Sequence, residues 1–507
     1  MGYGQPIEHI VIVGGGTAGW IAAAALSRIK AGRAVRITLI ESEQIGTVGV
    51  GEATIPPFID FNGLLGIDEA DMLAAVGGTF KLGIQFENWG RRGDSYIHPF
   101  GNYGYQIEGV SFHHVWHKFR TAGDKRPLQV FNLETMAAYF GRFGKTGDFQ
   151  REDLPPVNYA YHLDAGRYAR YLRAFAEKNG VVRKEGRITD VRLDGESGFV
   201  TAVELDDGES LAGDFFIDCS GFRGLLIEQA LKTGYEEWTH FLPCDRAVAL
   251  PCNRDDGASP PPFTRATAHS AGWQWQVPLQ HRNGNGHVYC SQFMEGDEAL
   301  DILLGNLAGK PTADPNWLRF VTGRRRKFWN RNVVAVGLAG GFMEPLESTS
   351  IHLITTAVTK LVSVLSLDGM TQAQEDVFNR LSAREYERIR DFLILHYKAT
   401  ARDDSEFWNY CRTMPIPDTL AQKIELFRAN GQIFREEDEL FTETSWTAVM
   451  MGQGIQMGGH NVITDSIADA RIHKELDEME KSIRYVVQNM AGHGEYLQRY
   501  CPSPIAA

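Results

Sequence analysis

The spacing of apolar positions changes twice within the first forty residues. His9 to Val13 is a short β-branched run without a polar break, which predicts a strand covered on both faces. Gly14-Gly15-Gly16-Thr17-Ala18-Gly19 interrupts it, and Trp20 to Ile29 is Ala-rich, as a helix requires. Val35 to Ile40 is strand-like again and ends on Glu41, so a βαβ unit of ordinary length opens the chain. Further strand-like runs lie at Phe199 to Leu205 and Phe215 to Ile217, on either side of the hairpin-like Asp206-Asp207-Gly208, and at Val333 to Val336 before a glycine cluster. These distant segments are expected to share one sheet, with the stretches between them inserted toward a common ligand. Residues 60 to 160, rich in Gly, Phe, Tyr, Trp and His, show little periodicity and are expected to be irregular and pocket-lining. From Thr371 the pattern is helical: Phe378, Leu381, Ile389, Phe392 and His396 recur at helix spacing, as do Ile472, Leu476, Met479, Ile483, Val487 and Met490.

Composition narrows the class. With 43% hydrophobic and 23% charged residues, the 507-residue chain has the balance of a folded protein. Fifty-one basic against 64 acidic residues give a net charge of −13, which argues against nucleic acid as a partner of the general surface. No apolar stretch reaches membrane-spanning length, and the first apolar run stops at the triple glycine, so neither a membrane nor export is expected and the location expected is cytoplasmic. Cys219, Cys244, Cys252, Cys290, Cys411 and Cys501 lie far apart with no zinc spacing, so buried reduced thiols and no metal site are expected.

Gly14-x-Gly16-x-x-Gly19 follows a strand, opens a helix and precedes an acidic residue at the end of the next strand, which together make a dinucleotide fingerprint. Gly14 allows the tight turn, Gly16 lets a pyrophosphate approach the helix start at Thr17 and Ala18, Gly19 allows close packing, and Glu41 can accept from a ribose. Asp214-Phe215-Phe216-Ile217-Asp218-Cys219-Ser220-Gly221 resembles the flavoprotein strand that returns to this turn. Asn332-Val333-Val334-Ala335-Val336-Gly337-Leu338-Ala339-Gly340-Gly341 resembles the strand that delivers glycines beside the flavin. The expected fold is α/β, an FAD-binding Rossmann-like chain of GR2 flavoprotein type. Its FAD-binding module, within 1–370, is formed from 1–60, 160–230 and 330–370, with inserted substrate and tunnel segments 61–159 and 231–329. A helical region, 371–507, is expected to cover the substrate site. A second Gly-x-Gly-x-x-Gly for a nicotinamide is missing, so reduced flavin is expected from a separate flavin reductase.

Trp273-Gln274-Trp275-Gln276-Val277-Pro278 places two indoles at i and i+2, on one face of a strand. With Thr79-Phe80-Lys81-Leu82-Gly83, Gly49-Val50-Gly51-Glu52-Ala53-Thr54, His162-Leu163-Asp164-Ala165-Gly166-Arg167-Tyr168 and Glu344-Pro345-Leu346-Glu347-Ser348-Thr349-Ser350, it resembles the flavin-dependent tryptophan halogenase family through most of the chain. Within it, the sequence is similar to bacterial members of indole-brominase type. The resemblance implies that FADH2 and O2 oxidise halide, chloride or bromide, to hypohalous acid, which passes through a tunnel to a small aromatic substrate. It implies catalytic roles for Lys81, which polarises hypohalous acid or forms a haloamine, and Glu347, which orients the electrophile or takes the ring proton. It assigns halide to the backbone of Thr349 and Ser350, where the family commonly has Gly at the second position. FAD falls to Gly14, Gly16, Thr17, Ala18, Gly19, Glu41, Glu52, Ala53, Leu338 and Ile351, the tunnel wall to Trp273 and Trp275, and substrate contact to His98 and Phe100, with Phe112, His113 and Trp116 expected to add to the pocket.

Without the family, Lys81 reads as a solvated side chain, Glu347 as a helix-start carboxylate and the Trp pair as core packing. The free-tryptophan enzymes carry a tyrosine pair followed by a glutamate that clamps the amino acid, and Phe427 to Trp446 has no Tyr-Tyr, so indole or an indole within a larger molecule is the expected substrate. A flavin-dependent aromatic hydroxylase is the alternative, separable by halide dependence, and an inactive flavin-binding protein is a third reading. Oligomeric state is left open, a homodimer included.

Overall fold

Each strand's burial follows from its composition and decides which sheet it joins. The computed structural model describes residues 2–29, 35–44, 52–149, 154–254 and 258–504, and these divide into two compact units.

The first unit comprises 1–76, 163–239 and 320–387. His9–Val13, buried at every position, lies inside a six-stranded sheet. The order is Trp329–Asn330, Val333–Ala335, Phe215–Asp218, His9–Val13, Arg36–Glu41 and Val182–Glu185. All neighbours are parallel except the first pair, so uninterrupted apolar runs are what this sheet demands. The helix Thr17–Ile29 packs its wholly buried Ala22, Ala23 and Ala24 close to neighbouring elements, among them the helices Ala165–Lys178 and Ser350–Val364.

One expectation changes here. Val200–Leu205 does not enter this sheet: it turns at Asp206-Asp207-Gly208 and pairs with the short strand Ser210–Ala212 in a separate three-stranded sheet. Its burial is interrupted at Thr201 and Glu204, whereas Phe215–Asp218 is buried throughout, and that contrast separates a sheet partly open to solvent from one covered on both faces. Asn332 ties the two sheets as a peptide would: its Nδ2 donates to Val200 O at 2.7 Å and its Oδ1 accepts from Val200 N at 3.0 Å.

The second unit comprises 77–162, 240–319 and 388–507. Its seven-stranded sheet runs Asn316–Arg319, Arg246–Cys252, Asn283–Tyr289, Gly272–Pro278, Thr264–Ala268, Gly83–Glu87 and Ser95–Pro99. Only the pair Thr264–Ala268 with Gly83–Glu87 is parallel. The 60–160 stretch is more regular than expected, carrying the helices Phe112–Thr121 and Leu133–Tyr139 and four of this unit's strands, counting Thr79–Lys81 and Arg142–Phe143. Their period is present, at Phe112, Val115, Trp116 and Phe119 and at Leu133, Met136, Ala137 and Phe140, but each run is only about two turns long and lies among glycines and aromatics that break the pattern on either side. The C-terminal part is helical, with Gln372–Lys398 and Asp469–Asn489 matching the two periodic stretches. All six cysteines are free and buried, and among the described residues no helix is long and apolar enough to cross a membrane.

Candidate active site

At the carboxyl ends of the parallel strands, Gly14 has φ +107°, a conformation that favours glycine. A Cβ there would stand 2.4 Å from Cys219 O, one at Gly15 would overlap the Glu41 carboxylate, and one at Gly19 would lie 1.8 Å from Gly14 O. A Cβ at Gly16 would meet nothing within 4 Å. Three of the four glycines are therefore needed for the chain to pack on itself, while the fourth leaves open space at the N-terminus of the Thr17 helix. That cradle fits a pyrophosphate, which the helix start would favour electrostatically.

Glu41 ends its strand beside this turn. Its carboxylate accepts from Trp20 Nε1 at 3.2 Å and Arg173 at 3.4 Å, and also from Arg183 Nε. An ionised carboxylate offers about four acceptor sites, so capacity for a ribose hydroxyl remains. Glu52 and Ala53 form a two-residue strand, and burial pushes the Glu52 carboxyl up to about 7. Gly49, Val50 and Gly51 lie outside the described residues. Leu338 sits in the half-buried 3-10 turn Gly337–Ala339, and Ile351 is buried in the first turn of the Ser350 helix.

Glu347 ends the 3-10 turn Pro345–Glu347 and is 1% exposed. Ser348 follows with φ +58°, unusual for a residue with a side chain and costing on the order of 1 kcal/mol. Thr349 is right-handed again and gives the helix Ser350–Val364 no side-chain cap. The helix geometry offers its first-turn amides no intrahelical carbonyl, so a left-handed residue ahead of a helix start gathers N–H groups as an anion nest does. Ser350 keeps its backbone donor. Behind this turn, Glu385 takes His352 Nε2 at 3.4 Å, Thr356 Oγ1 at 3.1 Å and the Lys360 ammonium. Burial alone would raise the Glu385 carboxyl, but His352 and Lys360 outweigh it and hold it down at about 2.

Lys81 belongs to the second unit. It ends the strand Thr79–Lys81, is 0% exposed, and faces Ala160 across the antiparallel pair, where a small neighbour leaves room for its stem. Its Nζ stands 5.1 Å from the centroid of Phe100. Phe80, on the opposite face, stacks on Phe143 at 4.1 Å and anchors the strand. Two residues before Lys81, the Thr79 hydroxyl donates to Pro278 O at 2.6 Å, so at 2.8 Å it accepts from His162 Nδ1. His162 Nε2 then accepts the Thr264 hydroxyl at 2.9 Å. Burial, with the Lys81 charge adding to it, drives His162 well below its ordinary value. A neutral imidazole thus lies near the lysine without competing for its charge.

Phe100 N donates to Leu82 O at 3.0 Å, which carries the Ser95–Pro99 strand back toward Lys81. His98 is buried with its ring 5.6 Å from Phe392 and 6.2 Å from Phe441, and these two phenyls stack at 3.7 Å. Trp273 and Trp275 project from one strand with centroids 6.1 Å apart. The six-membered ring of Trp275 lies over Gly286, where a Cβ would come within 2.0 Å. Lys81, Phe100, His98 and the Trp pair thus share the second unit, while Glu347, Thr349, Ser350 and the expected FAD residues belong to the first.

Sequence reasoning missed His162 as a charge-neutral neighbour, Gly286 as the seat of Trp275, and Glu385. His113, expected beside the substrate pocket, comes together with His114 and Glu443, which sequence reasoning missed: the ligating atoms of the three lie within 4.8 Å of one another. Asn461 N donates to His114 Nδ1 at 3.3 Å, which puts the ring proton on Nε2 and leaves no lone pair there for a metal. His113 Nε2 meets Gly431 O at 2.9 Å, and burial lowers both imidazoles. The group packs the Phe112 helix against residues 431–461, hydrogen-bonded through His113 Nε2 and His114 Nδ1, with His114 Nε2 buried and unpartnered among the described residues.

A parallel sheet with an open glycine cradle and a strained turn into a helix start defines an FAD-type α/β flavoprotein equipped for an anion. The model of the tryptophan halogenase family matches residues 9–469, and the chain belongs to that family. It is similar to Xcc4156, a flavin-dependent halogenase from Xanthomonas campestris, at 46% identity and TM-score 0.94 over 99% of both chains. It is similar to BrvH, a flavin-dependent halogenase from Brevundimonas sp. BAL3, at 44% identity and TM-score 0.93 over 98% of this chain and 99% of that one. Tryptophan 6-halogenase SttH of Streptomyces toxytricini is 32% identical over 97% of this chain and 98% of its own length. The protein is therefore an enzyme of the flavin-dependent halogenase class, which works with FAD, halide and O2 and takes reduced flavin from a separate reductase. The hydroxylase alternative is not favoured.

Proposed function

We propose that this enzyme halogenates indole or an indole derivative at an electron-rich ring carbon. The observation that carries the reading is the wholly buried Lys81 beside the Phe100 ring, on a strand whose neighbouring histidine is held neutral. Open space at Gly16 and the Thr17 helix start would hold the FAD pyrophosphate. When bound and reduced, FAD supplies with O2 the oxidising power that converts halide to hypohalous acid. The amides of Thr349 and Ser350 hold the halide, and Trp273 and Trp275 wall the organic substrate off from the flavin. Lys81 donates hydrogen bonds to the hypohalous oxygen, or forms a haloamine as the free amine. The ring carbon bonds to halogen as the halogen–oxygen bond breaks, the departing hydroxide takes a proton from the Lys81 ammonium and ends as water, and the displaced ring proton passes to the Glu347 carboxylate. The six free, buried thiols need no oxidising compartment, in keeping with a cytoplasmic location.

The substrate reading draws on the second unit. His98 has two stacked phenyls, Phe392 and Phe441, beside it, and Phe441 falls in the stretch where a tyrosine pair would clamp an amino acid. Product mass spectrometry over an indole panel tests the reading, with flavin reductase, FAD, NADH and either chloride or bromide. Halide-dependent addition of one halogen to indole is expected, and a hydroxylated product without halide dependence overturns it.

A further inference from the structure

Glu134, in the first turn of the helix Leu133–Tyr139, has no assigned role, yet the residue is 3% exposed and its carboxyl lies beside the substrate stretch His98-Pro99-Phe100-Gly101. A Cβ on Gly101 would stand 1.8 and 2.2 Å from its two oxygens, so the carboxyl rests directly on the Gly101 α-carbon. One oxygen accepts from Asn158 N at 2.9 Å, fixing the side chain from behind. The same segment grips the next residues of the turn: Asn132 Nδ2 donates to Asn102 O at 3.0 Å, and Phe131 O accepts from Gly104 N at 2.7 Å. Gly101 is followed by this anchored turn and preceded by Phe100, whose ring lies 5.1 Å from Lys81 Nζ.

We propose that Glu134 is a positioning residue of the halogenation site: its carboxyl, seated on Gly101, holds the Phe100–Gly101 backbone and so keeps the Phe100 ring against the Lys81 ammonium. The proposal rests on the halogenase reading for its kinetic consequence and on geometry alone for its structural one. Glycine at 101 is then required by the carboxyl, since any side chain would displace it. Burial pushes Glu134 up to about 7, against the opposing pull of the Asn158 amide and its own. The anion accepts those amides more strongly than the neutral acid does, so the carboxyl is held more firmly in its seat on Gly101 as pH rises through that value.

Crystal structures and kinetics of Glu134→Gln, Glu134→Ala and Glu134→Ala/Gly101→Ala test this. In Glu134→Ala the Phe100 centroid is expected to move beyond about 6 Å from Lys81 Nζ, the limit of a cation–π contact. The added methyl of the double variant refills the space and brings the ring back. Wild-type kcat/KM for indole is expected to rise several-fold between pH 6 and 8, and Glu134→Gln, nearly isosteric, to flatten that rise with FAD affinity unchanged. An undisturbed Phe100 in Glu134→Ala, or a wild-type pH profile in Glu134→Gln, overturns the proposal. If the wild type fails to halogenate indole, the substrate reading falls, while the Lys81 to Phe100 distance still decides the role of Glu134.

Discussion

A lysine with no exposed surface is expensive to bury unless its charge is used, and Lys81 lies with its ammonium 5.1 Å from an aromatic ring. Lys81→Ala is expected to abolish halogenation while leaving flavin affinity intact, because Lys81 acts on hypohalous acid rather than on the cofactor. Product formation measured beside FAD titration checks it: retained product means free hypohalous acid does the work, and lost FAD makes Lys81 structural. Glu347→Gln keeps shape but not basicity, so turnover should fall by about an order of magnitude or more, as for a lost general base. Near-normal turnover would reduce Glu347 to a helix-start carboxylate. At this scale the sequence was informative only through the family's motifs. Between Phe80 and Leu82, Lys81 reads as solvated, and nothing local shows that Ala160 leaves space for it. His162 and Glu134 were illegible as site neighbours because their environment is set by Thr264, Pro278 and Asn158, which come from other parts of the chain.

Ser348 enters the Ser350 helix in a left-handed conformation, and the Glu385 cluster ties that helix at its third, seventh and eleventh residues, His352, Thr356 and Lys360. Glu385 has a folded pKa of about 2, below the ordinary 4.5. A depressed carboxylate stabilises the native state above its unfolded pKa and loses that contribution as pH falls toward the folded value. The window is therefore roughly pH 4.5 down to 2, with at most about 3 kcal/mol at stake. Melting curves from pH 6 to 3 should show wild type losing stability over Glu385→Gln as acid is added. Parallel curves for the two would mean that the cluster does not hold the helix. Elements with strong period were readable: the opening strand, the glycine turn and the long C-terminal helices follow from pattern alone. The Val200 strand was legible as a strand but not by sheet, because pairing depends on which faces its neighbours cover. The Phe112 and Leu133 helices do carry the period, at Phe112, Val115, Trp116 and Phe119 and at Leu133, Met136, Ala137 and Phe140, but over about two turns each, too short to stand out from the irregular stretch around them.

Across the whole molecule, the parts of the expected chemistry are divided: the glycine cradle, Glu347 and the halide turn belong to the first unit, and Lys81 with its aromatic surroundings to the second. Segments scattered along the chain build each unit, which explains why no linker composition marks a boundary in the sequence. What the second unit offers a substrate decides specificity. A zwitterion such as L-tryptophan must exchange its hydration for fixed partners, and a buried ammonium or carboxylate left unpaired costs several kcal/mol. His98 instead has the Phe392–Phe441 stack beside it, and no tyrosine pair occurs in 427–446. Indole carries no such charge, and its most electron-rich carbon, C3, is unsubstituted. In tryptophan that carbon bears the side chain, so a benzo-ring position has to be held at the lysine by tight positioning. Free indole should accordingly be halogenated more efficiently than L-tryptophan, and at C3. Comparing kcat/KM for the two with the same reductase and halide checks this. A clear preference for L-tryptophan, with one benzo-ring isomer as product, would mean that other residues supply the clamp and that the apolar stack does not set the substrate class.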